Sequence, residues 1–140
     1  MFLAGLMLAQ QISDPPEASA DFELARDRNK YAAAGRAMAL LMPHPSFGTL
    51  PFRQVAALIV GQINRDHYFF VKRGGATTGF LGWALADEAA AEAWLETNDV
   101  SGIGDGSRGD CVVFNTWVTE GRDMHRFLVP KIWAHFADKT

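Results

Sequence analysis

The sequence predicts an α+β domain, a small sheet covered by helices. Three observations carry this. Residues 67–73 and 78–86 are runs rich in aromatic and β-branched side chains, joined through Gly74-Gly75, a pair that tolerates positive φ and so suits a hairpin turn. The stretches ahead of them hold apolar residues near helical spacing, divided by proline. Residues 111–119, CVVFNTWVT, form a further strand-like run between a glycine-rich loop and a final helical stretch.

Taken in order, residues 12–20 include Pro15-Pro16 with Ser, Asp and Glu, the composition of a linker. Asp21 or Ser19 can cap a first helix reaching to about Met42, with Phe22, Tyr31, Ala34, Met38 and Leu41 near one face. Pro43 stops it, because the residue before a proline is pushed out of the helical region. Residues 44–50 form a loop of Pro, Ser, Gly and Thr. Pro51 then opens a second helix, with Val55, Leu58, Ile59 and Ile63 as its apolar face. After the hairpin, Asp87 caps an alanine-rich third helix to about Thr97, with Trp94 and Leu95 facing the core. Residues 98–110 hold Gly102, Gly104, Gly106 and Gly109; they lead into a strand instead of opening a helix, so they lack the context of a phosphate cradle and read as a surface loop. The last helix spans residues 122–136, with Phe127, Leu128, Ile132 and Phe136 inward and a kink at Pro130. The predicted order is helix, helix, strand, strand, helix, strand, helix.

The chain has 140 residues, enough for one core-bearing domain at residues 21–140, preceded by an apolar N-terminal segment and linker at residues 1–20. The net charge is −3 and no basic run exceeds Lys72-Arg73, which argues against a nucleic-acid or anionic-membrane surface. A single cysteine, Cys111, excludes an internal disulfide and suits a reducing compartment; it reads as a small buried strand residue. The opening MFLAGLMLAQQ lacks the basic start of a signal peptide and falls short of the about 20 apolar residues of a membrane span. It reads as a short helix docking on the domain or on a partner, with a homodimer left open. A cytoplasmic location is expected.

Several marks then line up. They are Leu40-Leu41-Met42-Pro43-His44-Pro45, Leu50-Pro51 with the helix up to Asn64, Tyr68-Phe69-Phe70 followed by Phe80-Leu81-Gly82-Trp83-Ala84, Ser107-Arg108-Gly109-Asp110, and Gly121. In that order they resemble the bacterial toxin-activating lysine acyltransferases, which transfer a fatty acyl group from acyl carrier protein to internal lysines of RTX haemolysins. The resemblance covers roughly residues 35–136. It implies a GNAT-like fold, acyl carrier protein as donor and partner, a protein acceptor, and no bound cofactor. In such a fold the acyl-pantetheine arm lies in a splay between strands, where strand amides near Gly82 can hold the thioester carbonyl.

At both catalytic positions the sequence departs from the resemblance. The family's loop has a histidine three residues after the serine of a Ser-Pro; matched on His44-Pro45, Phe47 takes the histidine's place and His44 the serine's. The family's strand aspartate matches Asn115, or Thr116 in an alignment shifted by one; the two face opposite ways on a strand. Acyl transfer to lysine needs a neutral amine, so a base must take a proton from a group whose free pKa is about 10.4. Phe47 cannot do this, and Asn115 can hydrogen-bond but carries no charge. His44 turned into the cleft would restore a base, with Asn115 as orienting group. The plainer reading of His44 is an exposed loop residue. His67 is a further candidate, better read as a strand start. His125 and His135 are too far apart for an adjacent ligand pair, and no metal site is expected. Trp83 and Trp117 read as core aromatics that could also wall an acyl slot, with Phe47 and Gly82 beside the substrate. Two functions follow: a protein lysine acyltransferase, or a catalytically inactive binding protein on the same fold. A coenzyme A-dependent acetyltransferase fits less well, because Glu120-Gly121-Arg122-Asp123 lacks a glycine-rich pyrophosphate turn.

Overall fold

The computed structural model describes residues 3–4, 22–120 and 124–137. It is an α+β arrangement: β1 (Leu3–Ala4), β2 (Phe22–Ala25), α1 (Lys30–Leu41), α2 (Pro45–Gly48), α3 (Phe52–Asn64), β3 (Tyr68–Arg73), β4 (Ala76–Ala86), α4 (Glu88–Thr97), β5 (Cys111–Thr119) and α5 (Met124–His135). The hydrogen-bonded strand order is β1-β5-β4-β3-β2. The chain clusters into two compact units. One is residues 22–82 with 116–120; the other is residues 1–21, 83–115 and 121–140.

In the first unit the β3–β4 hairpin is antiparallel, with Tyr68 opposite Gly82 and Phe70 opposite Phe80. It turns through Gly74 and Gly75 at φ 58° and 83°, angles a side-chain-bearing residue adopts only with strain. A register shift between Val71 and Lys72 marks a bulge. The predicted first helix begins later than expected. Phe22–Ala25 is a strand, antiparallel to β3 with Phe22 opposite Arg73. Asn29, not Asp21 or Ser19, caps α1; its side chain accepts from the amides of Tyr31 and Ala32. The buried face of α1 is Ala33, Ala37 and Leu41, at strict i, i+4, i+8 spacing, while Tyr31 is 88% exposed. The alanines let α1 approach α3, and Ile59 and Ile63 join the same core as Tyr68, Phe70, Phe80 and Val118. Ring centroids of Tyr68, Phe70 and Phe80 lie 5.4 to 5.9 Å apart, a spacing at which aromatic pairs add to simple burial. Burial pushes the Tyr68 phenol's pKa up, and its hydroxyl donates to the Asp27 carbonyl at 3.1 Å.

In the second unit Asp87 caps α4 as expected, accepting from the Ala90 amide at 2.8 Å. Ala90 and Ala91 pack with Ala86, Cys111 and Val113, and Trp94 and Ile103 lie against them. Leu95, predicted inward, is 49% exposed. Cys111 is buried, and burial raises its thiol's pKa. The glycine-rich loop is held by its own aspartates. Asp99 accepts from the Ser101 amide, a bond that lowers the pKa of its carboxyl, and Asp105 accepts from the amide and hydroxyl of Ser107. Leu85 bridges to Ser107, which ties the loop to β4. Leu128 and Ile132 on α5 and Phe136 just after it are buried as predicted, Phe127, also predicted inward, is half-buried, and Pro130 lies within the helix. Leu3–Ala4 is a strand parallel to β5, opposite Val112 and Val113, where a helix was expected. The rest of that segment, the linker and the predicted helix start at Arg122 lie outside the described residues. Among the described residues no helix is long and apolar enough to cross a membrane.

Candidate functional site

The loop predicted between the first two helices folds into α2, a single turn that places His44 and Phe47. Pro45 suits the first helical position, where a missing N–H is no loss. The His44 amide donates to the Leu41 carbonyl at 3.0 Å, and the His44 carbonyl accepts from the amides of Phe47 and Gly48. Thr49 closes the turn, its hydroxyl donating to the Pro45 carbonyl at 2.6 Å. Gly48 lies so close to the Met42 carbonyl that a Cβ would overlap it. The His44 side chain is exposed and makes no capping bond, so its imidazole is accessible from solvent.

Between the end of α1, α2 and the start of α3 lies a cavity of about 520 Å³. Every residue lining it is apolar: Met38, Ala39, Leu41 and Met42 from α1 and its cap, Phe47, Gly48 and Leu50 from the α2 segment, and Phe52 and Val55 from α3. Leu41, among its lining residues, is buried, whereas Met42 and Phe52 are 71% and 73% exposed. His44 follows lining residue Met42 by two positions and precedes lining residue Phe47 by three. An apolar space of this size suits a ligand with an aliphatic part.

Gly82 belongs to the same unit. Its Cα packs against the Gln62 side chain closely enough that a Cβ would overlap the amide. Gln62 is fully buried on α3, and its Nε2 donates to the Thr116 hydroxyl at 3.0 Å. Thr116→Val removes that acceptor from a buried amide and lowers stability by about 1–3 kcal/mol, whereas Thr116→Ser keeps it; urea denaturation of both variants measures the difference. Trp117 is half-buried in this unit as well.

Trp83 and Asn115 fall in the other unit. Trp83 is buried in an aromatic cluster, its ring centroid 5.7 Å from that of Phe114, 5.1 Å from that of Phe136 and 6.1 Å from that of His135. Asn115 is half-buried, on the face of β5 opposite the buried side chains of Phe114 and Thr116. His67 accepts from Arg65 Nε through its Nδ1 at 3.2 Å, and the side chain of His125 lies outside the described residues. Among the described residues no three His, Cys, Asp or Glu side chains converge as a metal site would require. Sequence reasoning did not foresee the cavity, because Met38, Leu41 and Val55 sit at positions that read equally well as ordinary core. The available signal was Phe52, a large apolar residue in the first turn after Pro51.

No protein-family model matches the chain, and no curated protein matches it.

Proposed function

We propose that this chain is a protein lysine acyltransferase of the toxin-activating type on a GNAT-like fold, transferring a fatty acyl group from acyl carrier protein to a lysine of a protein acceptor. The observation that carries the reading is the wholly apolar cavity built by the loop in which the resemblance places the catalytic histidine. An acyl chain lying there is withdrawn from water, at roughly 0.8 kcal/mol per methylene, while its thioester stays outside the apolar lining. In this reading His44 takes the proton as the lysine amine attacks the thioester carbonyl. Collapse of the tetrahedral adduct forms the amide and breaks the carbon–sulfur bond, and the proton passes to the departing thiolate of the carrier's pantetheine arm. Strand amides near Gly82 hold the oxyanion, and Trp117 bounds the path of the arm.

Phe47 favours a second reading. It stands where the family has histidine, is half-buried, and packs against the core while lining the cavity. A wall residue there serves binding and not proton transfer, as in an inactive acyltransferase-fold adaptor. Intact-protein mass spectrometry of the chain mixed with acyl-loaded carrier protein and candidate acceptors separates the two. A mass increase of one acyl group on an acceptor, dependent on His44, supports the enzyme. A stable complex with carrier or acceptor and no transfer supports the adaptor.

A further inference from the structure

The cavity allows a further step, resting on the acyl-handling reading above, to the residue that selects the ligand. Its lining contains no charged side chain, so a charged end group stays outside the lining. Two of its lining side chains, Met42 and Phe52, are largely exposed. The volume of about 520 Å³ is in the range of small-molecule sites. A methylene needs about the room of a water, about 30 Å³, so the cavity admits a single unbranched chain of at most about 17 carbons.

We propose that the α1–α2–α3 cavity binds one such aliphatic chain and that Phe47 sets its length. Met38, Leu41 and Val55 are fixed by the packing of the two long helices, with Leu41 part of the core itself. Phe47 is carried instead by the four-residue α2, whose position is set by the backbone bonds of His44, Phe47 and Gly48. Its ring, although it also packs against the core, is therefore a large piece of wall that neither long helix carries. The Gly48–Met42 approach keeps the turn close to α1, so the ring cannot swing away with its backbone.

The test is native mass spectrometry of the full chain with sodium octanoate, dodecanoate, tetradecanoate and octadecanoate, each below its micelle concentration. The expected result is a one-to-one complex strongest at the intermediate lengths. Phe47→Ala shifts the preference toward longer chains by about two carbons or more, and Leu50→Trp, which fills the space, weakens every chain by about tenfold or more. Circular dichroism verifies that each variant is folded; where Phe47→Ala is not, Phe47→Trp replaces it and shifts the preference toward shorter chains. Three outcomes overturn the proposal: no one-to-one complex at any length, a length preference unchanged by the Phe47 variants, or a concentration-dependent dimer broken by Phe52→Glu with no chain bound. Chain binding without transfer from acyl carrier protein leaves this assignment standing and removes the enzyme. Transfer indifferent to both Phe47→Ala and Leu50→Trp leaves the enzyme and removes this assignment.

Discussion

On the proposed acyltransferase reading, replacing His44 by alanine is expected to lower acyl transfer by about 10² or more while the thermal melt stays where it was. The two halves of this expectation have separate causes. The imidazole is exposed and makes no capping bond, so alanine removes no packing or helix-cap interaction. The backbone of residue 44 holds the loop, donating to Leu41 and accepting from Phe47 and Gly48, and alanine keeps all three bonds. What the substitution takes away is the one ionisable side chain in the loop, which holds Pro45, Ser46, Phe47, Gly48, Thr49 and Leu50 besides it. Transfer is followed by intact mass on a fixed amount of acceptor and the melt by circular dichroism. An unchanged rate refutes His44 as the base, and a lowered melt shows that the residue has a structural role instead.

Gly109→Ala is expected to lower stability by about 3 kcal/mol or more, a fall in melting temperature on the order of 10 °C for a domain of this size. Gly109 has φ 132°, a conformation side-chain-bearing residues rarely adopt, and a Cβ there would overlap the backbone carbonyl group of Ala86. The obstruction is main chain at the end of a buried strand, one residue before the Asp87 cap of α4, so relief requires moving either β4 or the helix. Gly104 provides the control. Its φ of 65° is also left-handed, but nothing lies near its missing Cβ, so Gly104→Ala costs only the intrinsic penalty of about 1–2 kcal/mol. A pair of melts with equal losses would show that Gly109 is constrained by φ alone and not by contact with Ala86.

Periodicity and punctuation carried most of the fold. The hairpin, the Asp87 cap, β5 and the inward Leu128 and Ile132 of α5 are where the pattern placed them, because each has a local cause: glycines at positive φ, a side-chain acceptor ahead of alanines, a run rich in apolar and β-branched residues, apolar residues at helical spacing. The failures share a different cause. Phe22–Ala25 reads as helix from its neighbours, but its partner is β3, some fifty residues on, and strand pairing over that distance leaves no mark in a local window. The buried face of α1 is alanine, chosen for close approach to α3, so hydropathy pointed to Tyr31 instead. For the site, the sequence named His44 and Phe47 by resemblance and left the cavity unseen, since concavity is a property of three segments together. It also passed over Gln62, whose buried amide makes sense only against Gly82 and Thr116.

The short β2 bears on solubility. It covers β3 at the end of the strand order, with Phe22 buried and Glu23 exposed. Beneath it lies Tyr68-Phe69-Phe70-Val71, a run of aromatic and β-branched residues without charge, of the kind that pairs between molecules when its edge is bare. Four residues and one outward carboxylate thus serve as a guard strand. Any shortened form of the chain meant to stay dispersed must retain Phe22–Ala25, because without them the same amides that hold β2 become a template for fibrous self-association.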